Sequence, residues 1–369
     1  MRIIFSGGGT GGHIYPALTL LNTIKNKLPE TEFLYVGTKK GLESDIVPKA
    51  GINFAALELE GGFERRFTLE NFKRAADALL SIKRAGKIID EFKPDVVVGT
   101  GGYVCGPVLM AACMKKLPTL IQEQNAVAGV TNKILSKFVT KIAVGSKLAL
   151  NKFPAEKTSY TGNPIRPEIL AAKREDGLKE FGFTPDKPVI LISGGSRGAR
   201  SINLAMVDVL KNAEKNFDAQ FLHVTGKNDF EMITGKLSEG GLNLSASKNI
   251  KVVPYLYNMP QAMATADLAI FRAGATGLAE LTARGVPAIL IPFPYAAENH
   301  QEFNARALVE VGAAKMILNK DLTSEILTAH LEELLKNPNE LKKMSAASLT
   351  LGKPHAAEEI SEMILQLVK

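Results

Sequence analysis

The chain has no tryptophan, only two cysteines, and no apolar run of membrane-spanning length, and each absence removes a class of protein. Cys105 and Cys113 cannot staple 369 residues, so a disulfide framework is excluded and a reducing, cytoplasmic setting is expected. The longest mostly apolar stretch, Tyr103 to Met114, falls well short of the roughly 20 residues a spanning helix needs. Met1 to Ser6 runs straight into glycines without a basic and apolar leader, so export is not expected. The five histidines, His13, His223, His300, His330 and His355, form no zinc-ligand spacing, and no Asp-x-Asp pair occurs to hold a metal on a nucleotide diphosphate. The expectation is therefore no metal and no cofactor. No glycine loop ends in Gly-Lys-Ser/Thr, which argues against ATP hydrolysis.

What is present points to two α/β domains. A chain of 369 residues with 46% hydrophobic content is long enough for two cores. Short β-rich runs alternate with helical patterns: Ile3 to Phe5, Phe33 to Val36, Val96 to Val98, Thr119 to Ile121 and Lys141 to Val144. The pattern restarts at Pro188 to Ser193 and continues through Gln220 to Val224, Ile250 to Val253, Asp267 to Phe271 and Val286 to Pro292. Such alternation predicts parallel sheets covered by helices on both faces, in two Rossmann-like, doubly wound halves. Tyr160 to Pro167, with one glycine and two prolines, breaks any regular element. The domains are accordingly expected at 1–161 and 162–349, with a final helix, about 350–369, able to pack back on the first.

Three glycine-rich loops follow strands. Gly7-Gly8-Gly9-Thr10-Gly11-Gly12 satisfies G-x-G-x-x-G, and an amphipathic helix is expected from Pro16 through Leu28. The others are Gly99 to Pro107 and Gly194 to Arg200. Tight packing alone also requires glycine, but three such loops at strand ends predict backbone amides aimed at an anion, with diphosphate the obvious choice. The carboxylate that a dinucleotide ribose requires is missing after Val36, where Gly37, Thr38, Lys39 and Lys40 follow, so NAD is disfavoured and the lysines leave NADP only weakly open. A nucleotide-sugar leaving group would then be stabilised by helix N-termini and by residues such as Arg166 and Ser196.

A longer set of motifs runs through the chain in order. It comprises Gly8 to His13, Gly101-Gly102-Tyr103-Val104 with Gly106-Pro107, Glu123-Gln124-Asn125, Gly162 to Arg166, Gly194-Gly195-Ser196 with Gly198-Ala199-Arg200, Arg272 to Ala275, and His300-Gln301 with Asn304-Ala305. This set resembles the MurG family, the bacterial N-acetylglucosaminyltransferases of peptidoglycan synthesis. The resemblance implies a GT-B fold, with two Rossmann-like domains facing a cleft, the second binding UDP-GlcNAc. It implies inverting transfer of GlcNAc from UDP-GlcNAc to the C4 hydroxyl of MurNAc in lipid I, giving lipid II and UDP. Carried over by position, Thr10, Gly11 and Gly12 match a donor-contacting loop, Asn125 a contact to the donor sugar, and Arg166 and Ser196 contacts on the diphosphate side. Leu256 matches a residue beside the uracil. Ala275, Thr276, Gly277, Leu278, Ala279 and Glu280 match the helix start that holds phosphate and, through Glu280, the ribose hydroxyls; Gln301 matches a contact to GlcNAc hydroxyls. Chemistry agrees, since a carboxylate accepts from vicinal hydroxyls and an amide both donates and accepts. Gly277 departs from the family, which commonly has a hydroxyl residue there.

Two residues compete for the general base. His13 closes the first loop, and histidine is the commonest general base near neutral pH, but it could equally hydrogen-bond phosphate; Glu123 is the rival, or else it orients Asn125. The cysteines are assigned no chemistry. The formal charge is +7, and Arg65 to Lys87 carries seven Lys/Arg against two acids. Phe72, Leu79 and Ile82 share a helical face there, and with Lys83 they are the expected contact with an anionic membrane surface. A solvated basic face is the ordinary alternative. Peripheral attachment to the cytoplasmic face of the cell membrane follows from the lipid-linked acceptor. Cell-wall synthesis or division proteins are further expected partners. Nucleic acid is not, because tryptophan is absent and the basic cluster lacks interleaved aromatics. Competing readings are a UDP-GlcNAc 2-epimerase, another GT-B lipid glycosyltransferase, and a non-catalytic nucleotide-sugar-binding regulator.

Overall fold

The computed structural model describes residues 1–59 and 69–368; over 69–78 the description extends only to a helical backbone. The chain divides into two compact units, one of Met1–Ile165 with His355–Lys369 and one of Arg166–Pro354. The first division falls inside the Tyr160 to Pro167 stretch, four residues beyond the boundary expected at 161. Asn163 accounts for this: its side chain is buried, accepts from Gln122 at 2.8 Å and donates to the Gln124 carbonyl at 3.0 Å, tying 162–165 to the first unit. Residues 350–354 belong to the second unit.

The first unit holds β1 (Arg2–Ser6), β2 (Glu32–Thr38), β3 (Asn53–Leu57), β4 (Val96–Gly99), β5 (Thr119–Glu123), β6 (Lys141–Val144) and β7 (Thr158–Tyr160). They form one sheet in the order β3-β2-β1-β4-β5-β6-β7, with every pairing parallel. Alternation along each strand sends Ile4, Val36, Val97 and Ile121 to one core and Ile3, Phe5, Tyr35 and Val98 to the other. Because helices cover both faces, the strands read as nearly continuous apolar runs. The C-terminal helix Ala356–Gln366 buries Ile360 and Ile364 in the second of these cores, beside the helix Gly11–Lys27.

The second unit repeats the design with β8 (Val189–Ser193), β9 (Gln220–Val224), β10 (Ile250–Val253), β11 (Leu268–Phe271), β12 (Ala288–Leu290) and β13 (Ala314–Met316). Its order is β10-β9-β8-β11-β12-β13, again all parallel. In both sheets the strand order reverses direction beside the first strand, between β1 and β4 and between β8 and β11. Open parallel sheets bind ligands at the carboxyl ends of such neighbours. The loops leaving those four strands are the glycine-rich segments singled out by sequence, together with Arg272 to Glu280.

Candidate active site

In the first unit, the loops after β1 and β4 interlock. The Gly8 amide donates to the Gly101 carbonyl at 3.3 Å, and Gly102, at φ +84°, passes so close to the Gly8 carbonyl that any Cβ would collide with it. Side chains hold other carbonyls here: Tyr35 donates to Gly7 at 2.9 Å, and the Cys105 thiol donates to Ser6, at the end of β1, and to Gly101 at 2.8 and 3.0 Å. Burial pushes that thiol up to about 12, so Cys105 is a loop anchor with no nucleophilic character. The helix begins at Gly11, five positions before Pro16, so Gly11, Gly12 and His13 form its first turn. The expectation that this loop offers its amides to an anion needs correcting, because the Gly9 amide is also engaged, by the Glu43 carboxylate at 3.1 Å. The amides at the helix start, beyond Gly9, are what remains for a ligand.

His13 is fixed on one side. Its Nδ1 lies 3.0 Å from the Thr100 carbonyl and 3.0 Å from Gln124 Oε1, and Thr100 in turn donates its hydroxyl to the His13 carbonyl at 2.7 Å. Both Nδ1 partners are acceptors, so they select the tautomer in which Nδ1 carries the proton and Nε2 the lone pair. This is the arrangement a general base needs. Glu123, by contrast, is 1% exposed. Its Oε1 accepts from the Asn125 amide and side chain at 3.0 and 3.2 Å, and its Oε2 accepts from Gly129 and Asn132, each at 2.9 Å. Four donors on a buried carboxylate make an organiser of the 123–132 loop, with no proton-accepting face turned outward. Gln124 and Thr100 orient His13; the signal for them in the sequence is a hydroxyl between two glycines at Thr100 and an amide between Glu123 and Asn125 at Gln124.

In the second unit, Ser196 is exposed in the loop after β8. Arg166 and Glu280, 114 residues apart, meet as an ion pair with Nε to Oε1 at 2.9 Å. Burial pushes the Glu280 carboxyl up, and Arg166 opposes that shift. Glu280 lies on the ten-residue helix Ala275–Arg284, where Ala275, Thr276, Gly277 and Ala279 are half-buried and Leu278 is buried in the core. Leu278 therefore acts through packing. The Thr276 hydroxyl is buried near the start of this helix without a hydrogen-bond partner among the described residues, as befits a polar group awaiting a ligand. Leu256 is half-buried against the same core, and Gln301 accepts from the Phe293 amide at 3.0 Å.

Arg272 links the helix Arg200–Lys211 to the segments after β12 and β13. Its guanidinium donates to the Ile291 and Pro292 carbonyls at 3.1 and 3.0 Å, and to Asn319 and Ser201 at 2.8 Å each. All four acceptors are neutral, and burial pushes its pKa down to about 10. Among the described residues this cation has no carboxylate partner, and it sits just past the end of β11, where an anionic ligand would find it.

No helix among the described residues is long and apolar enough to cross a membrane. Leu79 is 69% and Met114 71% exposed, and Leu80, Val130, Ile134 and Phe138 are also exposed. The helices Leu69–Phe92, Cys105–Met114 and Val130–Leu135, which carry most of them, pack in sequence. Lys83 is exposed on the first helix, but Ile82 is half-buried against the core, so the outward apolar face of that turn belongs to Leu79 and Leu80. The Phe72 side chain, and Arg65 and Arg66 altogether, lie outside the described residues.

Residues 3–144 match the glycosyltransferase family 28 N-terminal domain, and residues 189–360 match its C-terminal domain. A UDP-N-acetylglucosamine–N-acetylmuramyl-(pentapeptide) pyrophosphoryl-undecaprenol N-acetylglucosamine transferase of Thermoanaerobacter sp. strain X514 is 48% identical over 365 residues, 99% of each chain. The transferase of the same name from Desulforamulus reducens is 47% identical over 369 residues, covering 100% of this chain and 99% of that one. Among solved structures, Acinetobacter baumannii MurG superposes with a TM-score of 0.78 at 29% identity, covering 99% of both chains. Both domain matches and full-length identity well above 30% lead to one conclusion: the chain belongs to glycosyltransferase family 28, within its pyrophosphoryl-undecaprenol N-acetylglucosamine transferases.

Proposed function

We propose that this chain transfers GlcNAc, with inversion, from UDP-GlcNAc to the C4 hydroxyl of MurNAc in undecaprenyl-diphospho-MurNAc-pentapeptide (lipid I), releasing UDP and forming lipid II. The observation that carries this reading is the 48% identity, over 99% of both chains, to a transferase whose name states donor and acceptor. The site chemistry supports it. His13 Nε2 takes the proton of the C4 hydroxyl, whose oxygen attacks the anomeric carbon as the bond from that carbon to the phosphate oxygen breaks. The bonding electrons leave with UDP. A single displacement inverts the anomeric centre. Arg166, Arg272 and the N-terminus of the helix Ala275–Arg284 offset the charge growing on the diphosphate. Glu280 receives the ribose hydroxyls, Leu256 flanks the base, and Asn125 and Gln301 contact the sugar.

Radiolabelled UDP-GlcNAc with and without lipid I tests the reading. Labelled lipid II and UDP should form only with acceptor, and EDTA should leave the rate unchanged. Acceptor-independent UDP-ManNAc would mark an epimerase, and binding without turnover would mark a regulator.

The acceptor's undecaprenyl tail stays in the bilayer, so the enzyme works at the cytoplasmic membrane surface. The exposed Leu79, Leu80, Met114, Ile134 and Phe138, rimmed by Lys83 and Lys87, supply that contact. Co-sedimentation with anionic vesicles should exceed that with neutral ones and weaken with salt; equal, salt-insensitive binding would remove the electrostatic part.

A further inference from the structure

Glu43 is completely buried, and among the described residues no ion pair includes it. Its Oε1 accepts from the Thr38 amide at 2.9 Å and the Thr38 hydroxyl at 2.7 Å, and its Oε2 accepts from the Gly9 amide at 3.1 Å. The fold makes room for it with glycines from three segments. A Cβ on Gly8 would stand 2.6 Å from Oε1 and one on Gly37 2.5 Å from Cγ, while one on Gly41 would overlap the carboxylate itself. Burying an ion without a counter-ion is costly, and an apolar side chain of similar shape would fill the space without that cost. An apolar side chain would, however, leave the Gly9 amide unpaired. What the carboxylate supplies is a charge-assisted clamp on the glycine loop, joining the end of β2 to the turn that leads into His13.

We infer that Glu43 is a positioning residue for the transfer reaction: by holding the Gly9 amide it sets the first glycine loop, and through that loop the His13 imidazole. The inference rests on the reading of His13 as the base. It differs from the anion-loop expectation in that one loop amide is reserved for a protein carboxylate, which also places negative charge behind the loop. The substrate-facing donors are thereby limited to the helix-start amides.

Glu43→Gln keeps the shape but replaces one acceptor oxygen with a donor, so one of the three clamping bonds becomes a clash. In hydrogen exchange on the free, full-length protein, this variant should raise exchange over residues 6–14 about tenfold or more while 15–27 stays protected. With UDP-GlcNAc and lipid I, its kcat should fall about tenfold to a hundredfold with KM for UDP-GlcNAc within about threefold, since remote positioning is expressed in turnover. Glu43→Asp, which keeps the charge with a shorter reach, should show the same split with a smaller loss, and it serves if the glutamine variant does not fold. Wild-type exchange over 6–14, or a kcat loss that merely tracks the folded fraction, overturns the inference. A wild-type enzyme that transfers no GlcNAc would instead sink the functional reading, which the substrate-free exchange measurement does not depend on.

Discussion

His13 and His223 illustrate how surroundings turn one residue type to opposite uses. His13 is half-exposed, with Nδ1 bonded inward to Thr100 and Gln124. His13→Ala should therefore lower kcat by roughly 10²- to 10⁴-fold, the usual contribution of a general base, while calorimetry finds UDP-GlcNAc affinity nearly unchanged. Lost affinity with turnover preserved at saturation would make His13 a binding residue. His223 is fully buried on β9, its Nε2 bonded to Asn203 Oδ1 at 3.0 Å and its Nδ1 without a partner among the described residues, and burial pushes its pKa down to about 3. The unfolded chain binds a proton near the ordinary histidine value of about 6.5, whereas the folded chain stays neutral until about 3. Stability is therefore whole above pH 6.5 and declines as pH falls, by up to about 1.4 kcal/mol per unit from this group. Urea melts from pH 7.5 to 4.5 should show this slope in the wild type, and His223→Gln should flatten it by about one proton. Both the His13 and Glu123 motifs were visible in the sequence, yet ranking them required geometry. A carboxylate with four donors and an imidazole with a free nitrogen look alike as letters.

Secondary-structure elements were more legible than side-chain roles. Ten of the strands coincide with apolar runs because buried parallel strands need such residues on both faces. The exceptions, β3, β7 and β13, lie at sheet edges, where the exposed Asn53 and Ser159 and the half-exposed Lys315 interrupt the pattern. The first helix starts at Gly11, ahead of the Pro16 start the sequence suggests, because proline marks a first turn by propensity while Gly11 and Gly12 do not. Helix ends also carry separable stability. The exposed Thr323 caps the helix Ser324–Leu335 by accepting from the Ile326 amide at 3.3 Å. Thr323→Ala should cost about 1 kcal/mol and lower Tm by a few degrees, with transferase activity unaffected.

At the level of the complete chain, the return of the C-terminal helix makes the first unit discontinuous: residues 355–369 complete a core begun at residue 1. The Lys27 to Glu362 ion pair at 2.9 Å also joins these segments, but both side chains are largely solvated, so it adds little. Apolar contact dominates, and Ile364→Ala should cost about 2–5 kcal/mol. Limited proteolysis should then release fragments of the first unit before those of the second; simultaneous release, or an unchanged melt, would show that the helix is dispensable. The alternation of strands and helices, the glycine loops and the identity of the polar residues within them were all readable from residue order, because periodicity and backbone freedom are local properties. Other features emerged only on folding: the capture of the Gly9 amide by a carboxylate 34 positions away, the meeting of Arg166 with Glu280 across 114, and the docking of the last helix on the first. Each of these depends on which distant groups share a low-dielectric neighbourhood, and no short-range pattern encodes that.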